Sequence, residues 1–247
     1  MDRWQNRVAV VTGASAGIGA AIFKDLAKAG LIVIGLARRV DRVEELKKSL
    51  TADQRSRVHA YKCDVSSEES VNSAFEWIIQ KFGGVDILVN NAGLLLDGNL
   101  STMPIADIRR VLDTNVMGVV HCTQHAFKSM KDRSFDGHIL IVNSILGHSI
   151  PIFPTHVGFN IYPSSKYALT AITEMYRQEF KGLGTKIKIT SISPGLVETD
   201  MVEDIKKDIG PVVLNAQDIS DGVMYAISTP PHVQVHELTI KPIGENM

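Results

Sequence analysis

Arg7-Val8-Ala9-Val10-Val11-Thr12-Gly13-Ala14-Ser15-Ala16-Gly17-Ile18-Gly19 is the stretch whose reading decides the fold. Its first half is a short, unbroken apolar run rich in valine, the pattern of a strand covered on both faces. Glycines at 13, 17 and 19 then interrupt it, and a helical pattern takes over from Ile18 to Ala29. Strand, glycine turn and helix in that order begin a βαβ unit. The spacing is G-x-x-x-G-x-G, which permits a tight turn, close approach of backbone to a ligand, and close packing of helix on strand. A dinucleotide pyrophosphate suits such a turn, because the first N–H groups of a helix have no partner within it. Taken alone, the glycines also fit a plain structural turn.

The alternation continues along the chain. Strands are predicted at Ile32 to Leu36, Val58 to Cys63, Ile87 to Val89, His138 to Val142, Lys188 to Ile192 and Glu237 to Lys241. Helices are predicted at Asp41 to Leu50, Val71 to Phe82 and Tyr162 to Leu183, with one bent helix or two between Ile105 and Lys131. Short apolar strands alternating with helices imply an α/β fold: a single-domain, Rossmann-like, doubly wound parallel sheet of about seven strands with helices on both faces. No linker, charge block or low-complexity tract divides residues 1–247. Two irregular stretches near 148–160 and 200–215 read as substrate loops, since long loops in a compact domain are often functional.

The composition excludes several classes. With 45% hydrophobic and 21% charged residues, the 247-residue chain is ordinary for a globular protein. A formal charge of -1 predicts no nucleic-acid partner, for which a basic excess is expected. Two cysteines make no disulfide framework, and eight scattered histidines form no ligand cluster, so no metal is predicted. No apolar run reaches the ~18 residues of a membrane span. The first strand-like run starts at Arg7, leaving no room for a signal or transit peptide, and a cytoplasmic location is expected.

Chemistry gathers at the ends of the strands, where open α/β sheets bind ligands. After the second strand comes Gly35-Leu36-Ala37-Arg38-Arg39. An acid at that point favours a free ribose, whereas its absence and two cations suit a 2′-phosphate, so NADP (NADPH) is expected as cofactor. Asn90-Asn91-Ala92-Gly93 follows the fourth strand, Ser144 the fifth, and Pro194-Gly195-Leu196-Val197-Glu198-Thr199 the sixth. Asn115 falls in the helical region between; a lone Asn is as much at home as a cap or a satisfied core amide. Tyr162 and Lys166 stand four residues apart, so on a helix both point into one pocket. A tyrosine phenol has a pKa of about 10, and a neighbouring cation favours its phenolate. In isolation such a pair also occurs on ordinary solvated helices.

In this order and spacing the landmarks closely resemble the short-chain dehydrogenase/reductase family of the compact kind, from about Arg7 to the final strand. The resemblance implies a catalytic tetrad of Asn115, Ser144, Tyr162 and Lys166. It also implies a cofactor site of Gly13, Ser15, Ala16, Gly17, Ile18 and Gly19 in the turn, Arg38 and Arg39 after the second strand, and Asp64 and Val65 flanking the adenine. Asn91, Ala92 and Gly93 would continue that site, with Tyr162 and Lys166 at the ribose, then Pro194 and Gly195, and Val197 and Thr199 at the nicotinamide carboxamide. Two departures stand out. Asn143-Ser144 replaces the common Ser-Ser pair, and Ala16 stands where some NADP-dependent members carry a basic residue. The stretches Met1 to Gly19, Gly35 to Arg39 and Val233-Gln234-Val235-His236 resemble, more narrowly, the insect farnesol dehydrogenase-like group, whose NADP-dependent members oxidise terpenoid alcohols.

The substrate is expected to be small and lipophilic. Leu95, Ile145, Phe153, Phe159, Leu196 and Met201 would form an apolar mouth over the nicotinamide. A carbonyl, ketosteroid or ecdysteroid reductase remains the alternative, and a catalytically silent nucleotide-binding regulator the reading from another class. The family resemblance implies a homodimer or homotetramer built through the helix after Tyr162 and the one from Val111 to Met130. The bland reading of that helix, with Leu169, Ile172 and Tyr176, is that it covers the sheet.

Overall fold

The structure, a computed structural model, describes residues 1–151, 158–202 and 212–244. Its strands are β1 (Val8–Thr12), β2 (Ile32–Ala37), β3 (Val58–Lys62), β4 (Ile87–Asn90), β5 (His138–Val142), β6 (Lys188–Pro194) and β7 (Glu237–Ile240). All pair in parallel within one sheet of order β3-β2-β1-β4-β5-β6-β7. The order reverses between β1 and β4. At that switch point the connections leave in opposite directions and a crevice opens beyond the strand ends.

Around the sheet lie α1 (Gly17–Lys28), α2 (Val40–Lys47), α3 (Ala52–Ser56), α4 (Glu68–Phe82), α5 (Ile105–Leu112), α6 (Gly118–Asp132), α7 (Tyr162–Gly182) and α8 (Ala216–Ser228). Successive strand residues face opposite sides, and β1 shows the result. Ala9 and Val11 pack with Ile22 and Leu26 of α1 and with Ile219 and Val223 of α8. Val8 and Val10 pack on the other side with Phe75 of α4, Cys122 and Met130 of α6, and Leu169 of α7. Phe127 of α6 stacks on Phe180 of α7 with centroids 4.4 Å apart. The sheet therefore has a core on each face, as the unbroken apolar strands imply. Among the described residues, no helix is long and apolar enough to cross a membrane.

Three elements differ from the sequence expectation. Helix α8 lies in a stretch where none was predicted. Its buried Ile219, Val223, Ala226 and Ile227 fall at helical spacing, but Gly222 sits among them. At that glycine an added Cβ would lie 2.5 Å from Ile240 Cδ1, so a larger residue would push the end of the Ile240 side chain aside. The helix expected from Asp41 to Leu50 ends at Lys47, and α3 starts afresh behind a Thr51–Gln54 capping box. Helix α4 begins at Glu68, before the first apolar residue of its stripe, because Ser67 caps it by accepting from the Ser70 N–H. Between Ile105 and Lys131 the chain is one helical path broken by a π-turn, Asp113–Met117, that carries Asn115. Such turns displace a side chain from the regular helical row and recur at functional sites.

Candidate active site

The crevice at the switch point is a cleft of ~400 Å³. Its nucleotide half starts at the glycine turn. Gly13 has φ +67°, and a Cβ there would meet Ala92 Cα at 2.9 Å, so β1 and the loop after β4 approach as only glycine allows. Gly17 has φ +53° and faces Thr199, whose Cγ2 would be 2.9 Å from an added Cβ. Helix α1 has no side-chain cap and no acid in its first turn. Its leading N–H groups and the positive end of its dipole are thus left for an anion.

Thr12 secures the facing loop, its Oγ1 accepting from the N–H groups of Asn91 and Ala92 at 3.0 Å each. Asn91 Nδ2 donates back to the Thr12 carbonyl at 2.9 Å. Arg38 and Arg39 line the cleft after β2, exposed. Asp64 and Val65 line it after β3, with Asp64 Oδ1 accepting from Ser66 N and Oγ. These groups fit a dinucleotide with an extra phosphate: a cradle without Cβ atoms, an uncapped helix end and two cations with no acid at position 37.

The other half gathers hydroxyl and ionisable side chains. Tyr162 opens α7 and Lys166 follows one turn later, both on the cleft wall. Lys166 is 5% exposed, and its Nζ donates to the Val142 carbonyl at 3.0 Å. Burial lowers its pKa to about 8. Burial also pushes the Tyr162 phenol up from its usual value. The sequence reading has Lys166 drawing that pKa down; here desolvation governs instead, with the ammonium turned to a backbone carbonyl. Ser144 caps the 3-10 turn Ile145–Gly147, its Oγ accepting from the Leu146 N–H at 3.1 Å. The hydroxyl proton of Ser144 and the Tyr162 O–H have no protein partner among the described residues, so both remain for a ligand.

Leu95, Ile145, Phe159, Leu196 and Met201 line the adjoining apolar chamber together with Leu94, Leu146 and Val202. Ser15, Ala16, Ile18, Gly93, Pro194, Gly195, Val197 and Thr199 also lie on the cleft wall. Two expected residues do not. Gly19 lies beneath the turn, where a Cβ would be 2.4 Å from the Gly13 carbonyl oxygen, so its part is to let helix and turn pack. Asn115 is 1% exposed below the cleft: its Oδ1 accepts from Leu94 N at 2.7 Å, and its Nδ2 donates to Leu94 O and Ser165 Oγ at 3.0 Å each. It ties the 91–95 loop to the start of α7. Phe153 lies outside the described residues.

Sequence reasoning missed Asn143, Thr114 and Cys63 on the cleft wall and the Arg42–Asp200 ion pair, 3.5 Å, that links α2 to the segment after Thr199. Asn143 had a sequence signal, as the departure from the common Ser-Ser pair. Burial raises the Cys63 thiol to about 11, which leaves it neutral and a poor nucleophile. No cluster of three or more His, Cys, Asp or Glu among the described residues could hold a metal ion.

A doubly wound parallel sheet whose switch-point cleft joins a nucleotide cradle to a Ser, Tyr and Lys group defines a dinucleotide-dependent oxidoreductase. Residues 7–210 match the short chain dehydrogenase family, and the chain belongs to it. Over 246 residues, 99% of each chain, it is 56% identical to the farnesol dehydrogenase of Aedes aegypti. It is 40% identical over 253 residues to Dehydrogenase/reductase SDR family member 11 of Mus musculus, covering 98% of this chain and 96% of that one. Among solved structures, an alcohol dehydrogenase from the archaeon Thermococcus sibiricus, complexed with 5-hydroxy-NADP, is similar at TM-score 0.81 and 28% identity, covering 96% of this chain and 97% of that one. Fold and family are those the sequence landmarks imply.

Proposed function

We propose that this oxidoreductase uses NADP(H) to interconvert a lipophilic, farnesol-like alcohol and its carbonyl product, with Tyr162 as the acid/base group. One observation carries the reading: the Tyr162 O–H and the Ser144 hydroxyl proton, neither with an acceptor among the described residues, line one cleft with an apolar chamber on one side and an arginine-bearing nucleotide cradle on the other. The 56% identical farnesol dehydrogenase supports the alcohol, and the NADP-type ligand in the archaeal structure supports the cofactor.

When bound, NADP(H) supplies or takes up the hydride. Ser144 donates its free hydroxyl proton to the substrate oxygen and stabilises charge developing there. Tyr162 gives that oxygen a proton in reduction and removes one in oxidation. Lys166 holds a positive charge beside the phenol, 5.5 Å from the centre of its ring. Asn115 keeps the loop above the site in place. Arg38 and Arg39 recognise the 2′-phosphate, while Leu95, Ile145, Phe159, Leu196 and Met201 exclude water from the substrate chain. Phe153 belongs to the same set by its place in sequence.

We further infer one functional domain over residues 1–247, with segments 148–160 and 200–215 shaping the substrate mouth, acting as a cytoplasmic homodimer or homotetramer. Exposed Met175 and Tyr167 on α7 support the assembly, and light scattering tests it. Two free thiols suit a reducing compartment.

The deciding experiment offers NADP or NADPH with farnesol, other prenols, small aldehydes and ecdysteroid ketones to wild type and Tyr162→Phe. Wild type should turn over farnesol, and the variant should bind NADP yet lose turnover. Near wild-type rates in the variant would remove Tyr162 from its role. A preference for ecdysteroid ketones would transfer the substrate assignment to steroid carbonyls.

A further inference from the structure

The last residue of β5 and the two that follow it form one assembly with α7. Lys166 donates to the Val142 carbonyl. One residue on, Asn143 Nδ2 donates to Thr170 Oγ1 at 3.0 Å, and Thr170 Oγ1 donates to the Gly147 carbonyl at 2.9 Å. Ser144 comes next and caps the turn that ends at Gly147. Tyr162, Lys166 and Thr170 stand at successive i+4 positions of α7 and so share a face of the helix.

Asn143 is 3% exposed and its Oδ1 has no hydrogen-bond partner among the described residues. Packing alone gives no reason for an amide there, because a buried unpaired acceptor opposes folding and an apolar side chain of similar shape avoids the penalty. The amide lies against Gly147, where an added Cβ would be 2.9 Å from both its Oδ1 and Nδ2. Its backbone N–H is separately held by the Ile192 carbonyl at 2.7 Å, which continues the β5–β6 pairing beyond Val142. The side-chain bond is therefore not needed to hold the strand end. What it does hold is the relation between that end, the Ser144 turn and α7.

We propose that Asn143 and Thr170 are positioning residues that fix the Ser144 hydroxyl relative to the Tyr162 phenol. The inference rests on the reading of Ser144 and Tyr162 as the groups that hold the reacting oxygen. Thr170 is the shared node: through Asn143 it fixes α7 against the end of β5, and through Gly147 it fixes the turn that Ser144 caps. Loss of either bond lets turn and helix shift while the sheet and the nucleotide cradle stay as they are.

Thr170→Val keeps the shape and removes the hydroxyl, and Thr170→Ser restores it. Thr170→Val should lower kcat by about 10- to 100-fold, the scale of an ångström-level misplacement. Substrate KM, NADP affinity and melting temperature should stay near wild type, and Thr170→Ser should recover most of the rate. Asn143→Ala should lower kcat in the same way, and it decides the matter if Thr170→Val fails to fold. A rate loss that tracks melting temperature or NADP affinity, unrescued by Thr170→Ser, would overturn the proposal. So would wild-type kcat in Thr170→Val alongside an inactive Tyr162→Phe, which leaves the underlying reading intact. Wild-type turnover in Tyr162→Phe removes both.

Discussion

Lys166 reaches from α7 to the end of β5, where its Nζ donates to the Val142 carbonyl at 3.0 Å rather than to the Tyr162 phenol. Burial lowers its pKa to about 8, against about 10.4 for a solvated lysine. The folded-state pKa is depressed, so the group's favourable contribution is complete above about pH 10.4 and is lost as pH falls through about 8. Below that, holding a buried charge costs about 3 kcal/mol, at ~1.36 kcal/mol per unit. Lys166→Met removes this dependence. The stability of wild type relative to Lys166→Met should rise between pH 8 and about 10, measured by urea unfolding. Turnover should fall by about 100-fold or more in the variant. A stability difference constant across that window would show that the lysine is not desolvated as described.

With Tyr162 as the proposed acid/base group, its phenol sets the expected direction of pH dependence in catalysis. Burial raises its phenol, so near neutrality it is protonated and ready to donate. The rate of carbonyl reduction with NADPH should therefore be flat from about pH 6 to about pH 8, while alcohol oxidation should climb steadily over the same range. Steady-state kcat in both directions checks this. An oxidation profile that levels off near pH 7 would mean that the Lys166 charge outweighs burial once ligands are bound.

Arg38 and Arg39 have no acidic partner among the described residues, whereas Arg42 of α2 is paired with Asp200. An unpaired guanidinium at the cleft is available for a bidentate contact with phosphate. Arg38→Ala should raise KM for NADP by about tenfold or more, the equivalent of ~1.4 kcal/mol, and leave KM for NAD nearly unchanged. An equal rise for both cofactors would end the case for recognition of the 2′-phosphate.

The glycine turn at the cleft was legible because its residues act through backbone. Gly13 and Gly17 adopt positive φ, and an apolar strand before them with a helix after them leaves few alternative geometries. Strand ends were legible for the same reason, since a buried parallel strand announces itself by continuous apolar residues, as β1 and β5 do. Helix α8 was not, because its stripe is interrupted by Gly222, whose closeness to Ile240 of β7 appears only once the sheet is in place. The contacts of Asn115 were not legible: a π-turn is invisible in apolar periodicity, and only the fold shows that its amide grips Leu94 and Ser165. The Lys166–Val142 bond was hidden likewise. Spacing placed lysine and tyrosine on one face of α7, but which group the ammonium meets depends on how deeply the helix sits against β5.

His138 opens β5 fully buried, with Nε2 bonded to Thr190 Oγ1 at 2.8 Å and Nδ1 without a partner among the described residues. Desolvation first, and then the nearby charges of Lys188 and Arg3, lower its pKa to about 3. An unfolded histidine titrates near 6.5, so below that pH the unfolded chain takes up a proton that the native core refuses. The folded pKa is depressed, and the contribution present above pH ~6.5 is lost progressively as pH falls toward 3. Wild type should therefore lose about 1.4 kcal/mol per pH unit more than His138→Leu between pH 6 and about pH 4. Urea unfolding of both proteins at intervals across that range measures the difference. Parallel stability curves would mean that His138 takes up its proton within the fold, through an arrangement of Lys188 and Arg3 other than the one described.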